Sequence, residues 1–187
     1  ACVVVKREFL ESEENGILRD LTDSKQLSEK QRNYFYSLLI ESGKVSIGIG
    51  VADVEEIDSI NILKATHAAM ARALNSMPFL PDLVLVDGLP VTGLACPSVA
   101  IVKGDSKSLS IAAASVIAKV TRDRLMCELD KKYPGYEFAK HKGYGSKRHM
   151  MALLELGPSP THRMTFRPVR EAAEIRRRKN EENKKTV

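Results

Sequence analysis

The chain has 187 residues, 43% of them hydrophobic. That is enough for one α/β domain with a full core and a small appendage, and it excludes a chain that is disordered throughout. The formal charge is +5, which suits a polyanionic partner, although Arg176-Arg177-Arg178-Lys179 and Lys184-Lys185 concentrate part of it near the C-terminus. No apolar run is long enough to span a membrane and no secretory signal is visible. The three cysteines, Cys2, Cys96 and Cys127, have no metal-ligand spacing and suit a reducing cytoplasm. Nothing demands more than a monomer.

In chain order, Ala1 to Val5 reads as a buried β-branched strand, and Asn15-Gly16 as a turn. Ser28 with Gln31 forms a capping box that opens a helix from Glu29 to about Ile40, ended by Gly43. Val45 to Val51 alternates as a strand, with Gly48 and Gly50 placing bare backbone along one face. Asp53 with Glu56 is a second capping box over a short helical turn. Asn61 then caps a longer helix that reaches about Ser76. Leu83 to Val86 reads as a buried strand closed by Asp87-Gly88, and Ser98 to Val102 as another.

A long helix follows Lys103-Gly104-Asp105-Ser106, rich in alanine and free of glycine and proline until Pro134. On it Ser115, Lys119 and Asp123 recur at every fourth residue and share nearly one face. Tyr133 to Tyr136 and His141 to Gly145 are loops. Ser146 caps a helix over Lys147–Leu156, which Gly157 and Pro158 end. Thr161 to Phe166 is a loop, and a charged helix runs from Pro168. Strands interleave with helices, so the class is α/β, with residues 1–132 as the core and 133–187 as a C-terminal loop-and-helix part.

Four places can carry chemistry. Asp87 ends a strand where open α/β sheets place ligands, although Asp-Gly is also an ordinary turn. Asp123 would supply a second hard oxygen, suited to Mg²⁺ or Mn²⁺; the plainer reading is a Lys119–Asp123 pair on a solvated face. Tyr144 stands between two glycines after Lys140 and Lys142. There it is either a stacking contact to nucleic acid or a half-buried residue of a tight turn. Asp23-Ser24-Lys25 precedes a helix N-terminus as a phosphate contact or, more simply, a solvated loop. Lys103 to Ser108 lacks the spacing of a phosphate loop, which excludes a nucleoside triphosphatase of that type, and His162-Arg163 reads as loop structure.

Taken in order, several segments resemble bacterial ribonuclease HII. They are Asp23-Ser24-Lys25 with Leu27-Ser28, Val84 to Gly88, Val102 to Asp105, the Ser110–Asp123 helix, His141 to Gly145, and Gly157 to Arg163. The resemblance runs from Ala1 to about Val169. It implies a ribonuclease H-like fold: a mixed five-stranded sheet flanked by helices, with a small helical C-terminal part. It implies endonucleolytic cutting of the RNA strand of RNA–DNA hybrids and cutting at ribonucleotides embedded in duplex DNA. It also implies Mg²⁺ or Mn²⁺ as cofactor, with one ion activating water and another stabilising the leaving oxygen. Asp87 and Asp123 match two of the family's four metal-site acids, Tyr144 the tyrosine at the ribose of the RNA–DNA junction, and Lys25 a loop near the substrate backbone.

The family's first strand, with its adjacent Asp-Glu pair and Gly-Arg-Gly loop, has no counterpart in this sequence. We expect the complete protein to carry that segment ahead of Ala1. The alternative is a non-catalytic nucleic-acid-binding module with half of a metal site.

Overall fold

The structure is a computed structural model and describes residues 1–11, 16 and 18–185. Asn15 of the expected Asn15-Gly16 turn lies outside the described residues. Two compact units make up the chain: Ala1–Ala52 with Leu63–Thr121, and Asp53–Ile62 with Arg122–Val187.

In the first unit, β1 (Cys2–Val5) pairs antiparallel with β2 (Val45–Gly48), Cys2 opposite Gly48 and Val5 opposite Val45. The short α1 (Arg7–Glu11) follows β1. Helix α2 (Glu29–Glu41) starts as its residues dictate: Gln31 N–H donates to Ser28 Oγ at 3.3 Å and Ser28 N–H donates to Gln31 Oε1 at 2.9 Å. Its apolar face puts Phe35 and Leu39 into the core, burial worth about 1.5–3 kcal/mol for each. Gly43, at φ 63°, ends it in the left-handed conformation that glycine adopts most easily.

Helix α3 (Val54–Asn75) is broken at Asn61, whose φ of 71° is not helical. Glu56 N–H donates to Asp53 Oδ1 at 2.8 Å, so Asp53 caps its N-terminus. The part after the break explains the two glycines. A Cβ at Gly48 would lie 2.0 Å from Ala73 O, and one at Gly50 2.0 Å from Ala69 O. The helix backbone therefore rests directly on this stretch, as a bare face allows.

β3 (Val84–Asp87) and β4 (Ser98–Ile101) form a parallel pair with Asp87 opposite Ile101. Unlike the buried strand expected here, β3 leaves Leu85 40% exposed while covering Val86. Only one face of the ribbon has a cover. Among the described residues, the sheet implied by the resemblance is present as two separate two-stranded pairs, because no strand of this sequence hydrogen-bonds to both.

Helix α4 (Leu109–Lys132) supplies Ile111, Ala112, Ala113, Val116, Ile117 and Val120 to the core that holds Val3, Val5, Phe35 and Leu39. Ser115 on its polar stripe donates to Ser24 Oγ at 2.7 Å, tying the Asp23-Ser24-Lys25 loop to the helix.

The second unit has its own core of Tyr136, Phe138, Ala152, Leu153, Val169 and Ala172. It is built from the short α5 (Phe138–His141), α6 (Lys147–Leu156) and α7 (Arg167–Lys185), with the C-terminal half of α4. Helix α6 has the bounds its caps dictate: His149 N–H donates to Ser146 Oγ at 3.2 Å, and Gly157, at φ 79°, closes it. No helix of the described residues is long and apolar enough to cross a membrane.

Candidate active site

Asp87 is the last residue of β3, and its side chain is exposed. The following strand and turn hold it. Lys103 takes a left-handed conformation (φ 56°, ψ 46°) and turns the chain after β4. Gly104 N–H then donates to Asp87 Oδ1 at 2.8 Å, leaving Oδ2 as the oxygen available to a ligand. Gly104 is buried, and a Cβ there would lie 2.6 Å from Ile111 Cδ1 and 3.4 Å from Asp87 Oδ1. A side chain at this position would press between the carboxylate and α4.

The next residue, Asp105, makes the site electrostatically loaded. Burial raises its carboxyl above the ordinary carboxylate range, and the negative charges of Asp87 and Asp23 raise it further. Its side chain also hydrogen-bonds that of Asp23. Asp23 Oδ1 in turn accepts from Lys25 N–H at 2.9 Å. Asp23, Asp87 and Asp105, which are far apart in sequence, thus share one neighbourhood, and the exposed Lys25 belongs to its loop. Sequence reading singled out Asp87 and Lys25 but missed Asp105. Its signal was its place at the end of the Val102 to Asp105 segment that carries the family resemblance.

The chain matches the sequence pattern of ribonuclease HII over residues 1–169. It belongs to the ribonuclease HII family. It is 55% identical over 154 residues to the ribonuclease HII of Geobacter sulfurreducens, covering 82% of this chain and 70% of that protein. Against the ribonuclease HII of Lachnoclostridium phytofermentans the identity is 53% over 146 residues, covering 78% of this chain and 57% of that protein. With the ribonuclease HII of Chlamydia muridarum it is 53% over 152 residues, covering 81% and 70%. The crystal structure of the ribonuclease H2 from Pyrococcus horikoshii OT3 superposes with a TM-score of 0.68 at 28% identity, covering 87% of this chain and 86% of that one. The ribonuclease H-like α/β class is thereby established. The chain is a ribonuclease H enzyme, an endoribonuclease acting on RNA–DNA hybrids. No observation favours the non-catalytic binding module.

The other expected residues, Asp123 and Tyr144, lie in the second unit. Asp123 is half-buried on the C-terminal half of α4. Tyr144 follows two left-handed residues, Lys142 (φ 51°) and Gly143 (φ 80°). Its N–H donates to His141 O at 2.9 Å and its carbonyl accepts from Ser146 N–H at 2.8 Å. The turn is tight, as one reading had it, yet the ring is 63% exposed rather than half-buried. Its companion is the Arg122 guanidinium, 5.7 Å from the ring centroid, which also donates to Lys142 O at 2.7 Å. That arrangement fixes a flat aromatic face and a cation together.

Among the described residues, no three carboxylate, imidazole or thiol side chains converge to hold a metal ion between them. Members of the family generally depend on a divalent metal. The donors present fit such an ion by chemistry. Carboxylate oxygens are hard ligands, and Mg²⁺ is commonly held by one or two of them together with substrate phosphates and water.

Proposed function

We propose that Asp87 and Asp123 are the carboxylates of this chain that bind the divalent cation, Mg²⁺ or Mn²⁺. In this reading Tyr144 packs against the ribose at an RNA–DNA junction and Lys25 meets the substrate backbone. The substrates include duplex DNA with single embedded ribonucleotides. The protein acts in the cytoplasm as a monomer.

The observation that supports this reading best is the placement of Asp87. It stands at the C-terminal end of a parallel strand, one oxygen held by Gly104 N–H, with Asp105 and Asp23 adding negative charge around it. Such a cluster favours a cation, because like charges at close range are relieved by one. When bound, the cation lowers the pKa of a water and stabilises charge on the leaving oxygen.

The chain's own residues orient and exclude. Gly104 N–H fixes the Asp87 carboxylate before the ion arrives. Ser24, tied to Ser115, steadies the loop that carries Lys25 to the phosphates. Tyr144 offers a flat surface to a sugar, and RNA is told from DNA at that sugar by its 2′-hydroxyl.

The test is Asp87→Asn in the full-length protein. Metal-dependent cleavage of an RNA–DNA hybrid should fall roughly a thousandfold, the rate equivalent of several kcal/mol of lost charge stabilisation. The circular dichroism spectrum should stay that of the wild type. Full activity in this variant would remove Asp87 from the site.

A further inference from the structure

The second unit groups three imidazoles beside the Tyr144 turn, two of them buried. His149 and His162 are 5% and 6% exposed, and their Nε2 atoms lie 3.0 Å apart. His141 stacks on His149 with centroids 4.2 Å apart and planes 12° from parallel. The partners at either end of the pair determine where the protons sit. Tyr144 O can only accept, so His149 Nδ1, at 2.9 Å from it, carries a hydrogen. Ser159 N–H can only donate, so His162 Nδ1, at 3.0 Å from it, carries a lone pair. In two neutral rings that leaves one arrangement: His162 Nε2–H donates to His149 Nε2.

We propose that His149 and His162 are positioning residues, a one-directional hydrogen-bond relay from Ser159 N–H to Tyr144 O that holds the tyrosine backbone while its ring projects to substrate. This rests on the reading of Tyr144 as a substrate contact. The relay supplies Tyr144 O with its second donor, beside Ser146 N–H at 2.8 Å. The backbone under the exposed ring is thereby ordered before any substrate arrives, which reduces the entropy lost on binding.

Burial, and then the neighbouring imidazoles, hold the His162 pKa down at about 4. Burial also lowers that of His149. Both effects support a neutral pair, since a proton added at His149 Nε2 or His162 Nδ1 would set one N–H against another. The charged and titratable groups around the pair come from several elements. His141 lies on α5, and Tyr136, with its ring 5.1 Å from that of His162, precedes it. Arg176 of α7 touches Gly157 and acts on Tyr136. Glu55 and Asp58 of α3 line the same cleft as His162. Asp58 accepts from Met164 and Thr165 N–H, and Arg148 of α6 is paired with Glu137.

The first experiment is side-chain ¹⁵N–¹H correlation of the histidines in the full-length protein at neutral pH. The relay requires His149 as the Nδ1–H tautomer and His162 as the Nε2–H tautomer. His149 in the Nε2–H form would overturn it. This measurement needs no variant, so it stands even where a variant fails to fold.

The second compares His149→Asn, whose amide can replace the donor at Nδ1, with His149→Gln, whose amide reaches only the Nε2 position. On duplex DNA carrying one ribonucleotide, KM should rise about five- to tenfold in His149→Gln, the range of one lost hydrogen bond. It should recover most of that in His149→Asn, with kcat nearly constant in both. Equal losses in the two variants, alongside an impaired Tyr144→Ala, mean a merely structural imidazole and overturn the relay. An unchanged KM in Tyr144→Ala overturns instead the reading of the tyrosine, which the tautomer measurement does not touch.

Discussion

Two clusters of ionisable side chains, one in each unit, are built on opposite principles. Around Asp87, three carboxylates share one neighbourhood, and Asp105 is shifted upward first by burial and then by the charges of Asp87 and Asp23. Around His149, the two paired imidazoles are buried, burial disfavours their charged forms, and the hydrogen bonds along the pair find partners inside the unit. In the proposed function the first cluster takes a cation, whereas the hydrogen bonds of the second are met by its own neighbours. On the two proposals made above, the difference separates a site for a ligand from a pair that supports a neighbour. Removing a member should relieve the first cluster and damage the second.

Acid makes the largest difference between them. His162 has a folded pKa of about 4 against the ordinary 6.5. Between those values the unfolded chain binds more protons, so stability falls as pH drops through that window and levels off below about 4. The loss from this one group should be about 3 kcal/mol, read from denaturant midpoints against pH. Asp105 works with the opposite sign: its folded pKa is raised, so the folded state gains stability as pH falls through that raised value. A His162→Phe variant that kept the full acid-dependent loss would contradict the assignment.

A smaller effect tests whether the second unit depends on each of its neutral bonds. Ser146→Ala removes the acceptor for His149 N–H at the start of α6. It should cost about 1 kcal/mol, the usual value of an N-cap, in thermal or chemical unfolding. A neutral result would mean that the cap is redundant to the histidine network.

The smallest expected effect has the other sign. Asp105→Asn, without divalent cations, should stabilise the protein by about 0.5 kcal/mol, a small figure because solvent screens the repulsion it relieves. Added Mg²⁺ should then raise the melting temperature of the wild type more than that of the variant. Destabilisation without metal would show that the carboxylates are held by bonds worth more than their repulsion.

What could be read along the chain and what could not divide by distance in sequence. The caps at Ser28, Asp53 and Ser146 were legible because each closes a hydrogen bond within three residues. Gly157 was legible as a helix end because its N–H bonds only four residues back, to Leu153 O. Gly48 and Gly50 signalled a close approach, though not that α3 makes it. The ordered motifs around Lys25, Asp87, Asp123 and Tyr144 were enough to name the family.

The exposure of β3 was not legible. An apolar run of that length reads as buried, and only the pairing shows that one face lacks a cover. Asp105 and His162 stood in segments that carry the family resemblance, but taken singly Asp105 was read as part of a rejected phosphate loop and His162 as loop structure, because nothing local shows what either contacts. Their partners, Asp87 and His149, lie 18 and 13 residues away, respectively.

The sequence by itself determined α2 and α6 with their ends, the course of α4, the family and the identity of the residues on which the proposed chemistry rests. Tertiary structure decided which of those residues share an environment: Asp23 and Asp105 with Asp87, Ser24 with Ser115, His162 with His149. The physical reason is that capping and periodicity are set by covalent neighbours. Charge repulsion and the direction of a buried hydrogen bond depend on which side chains packing brings within a few ångströms.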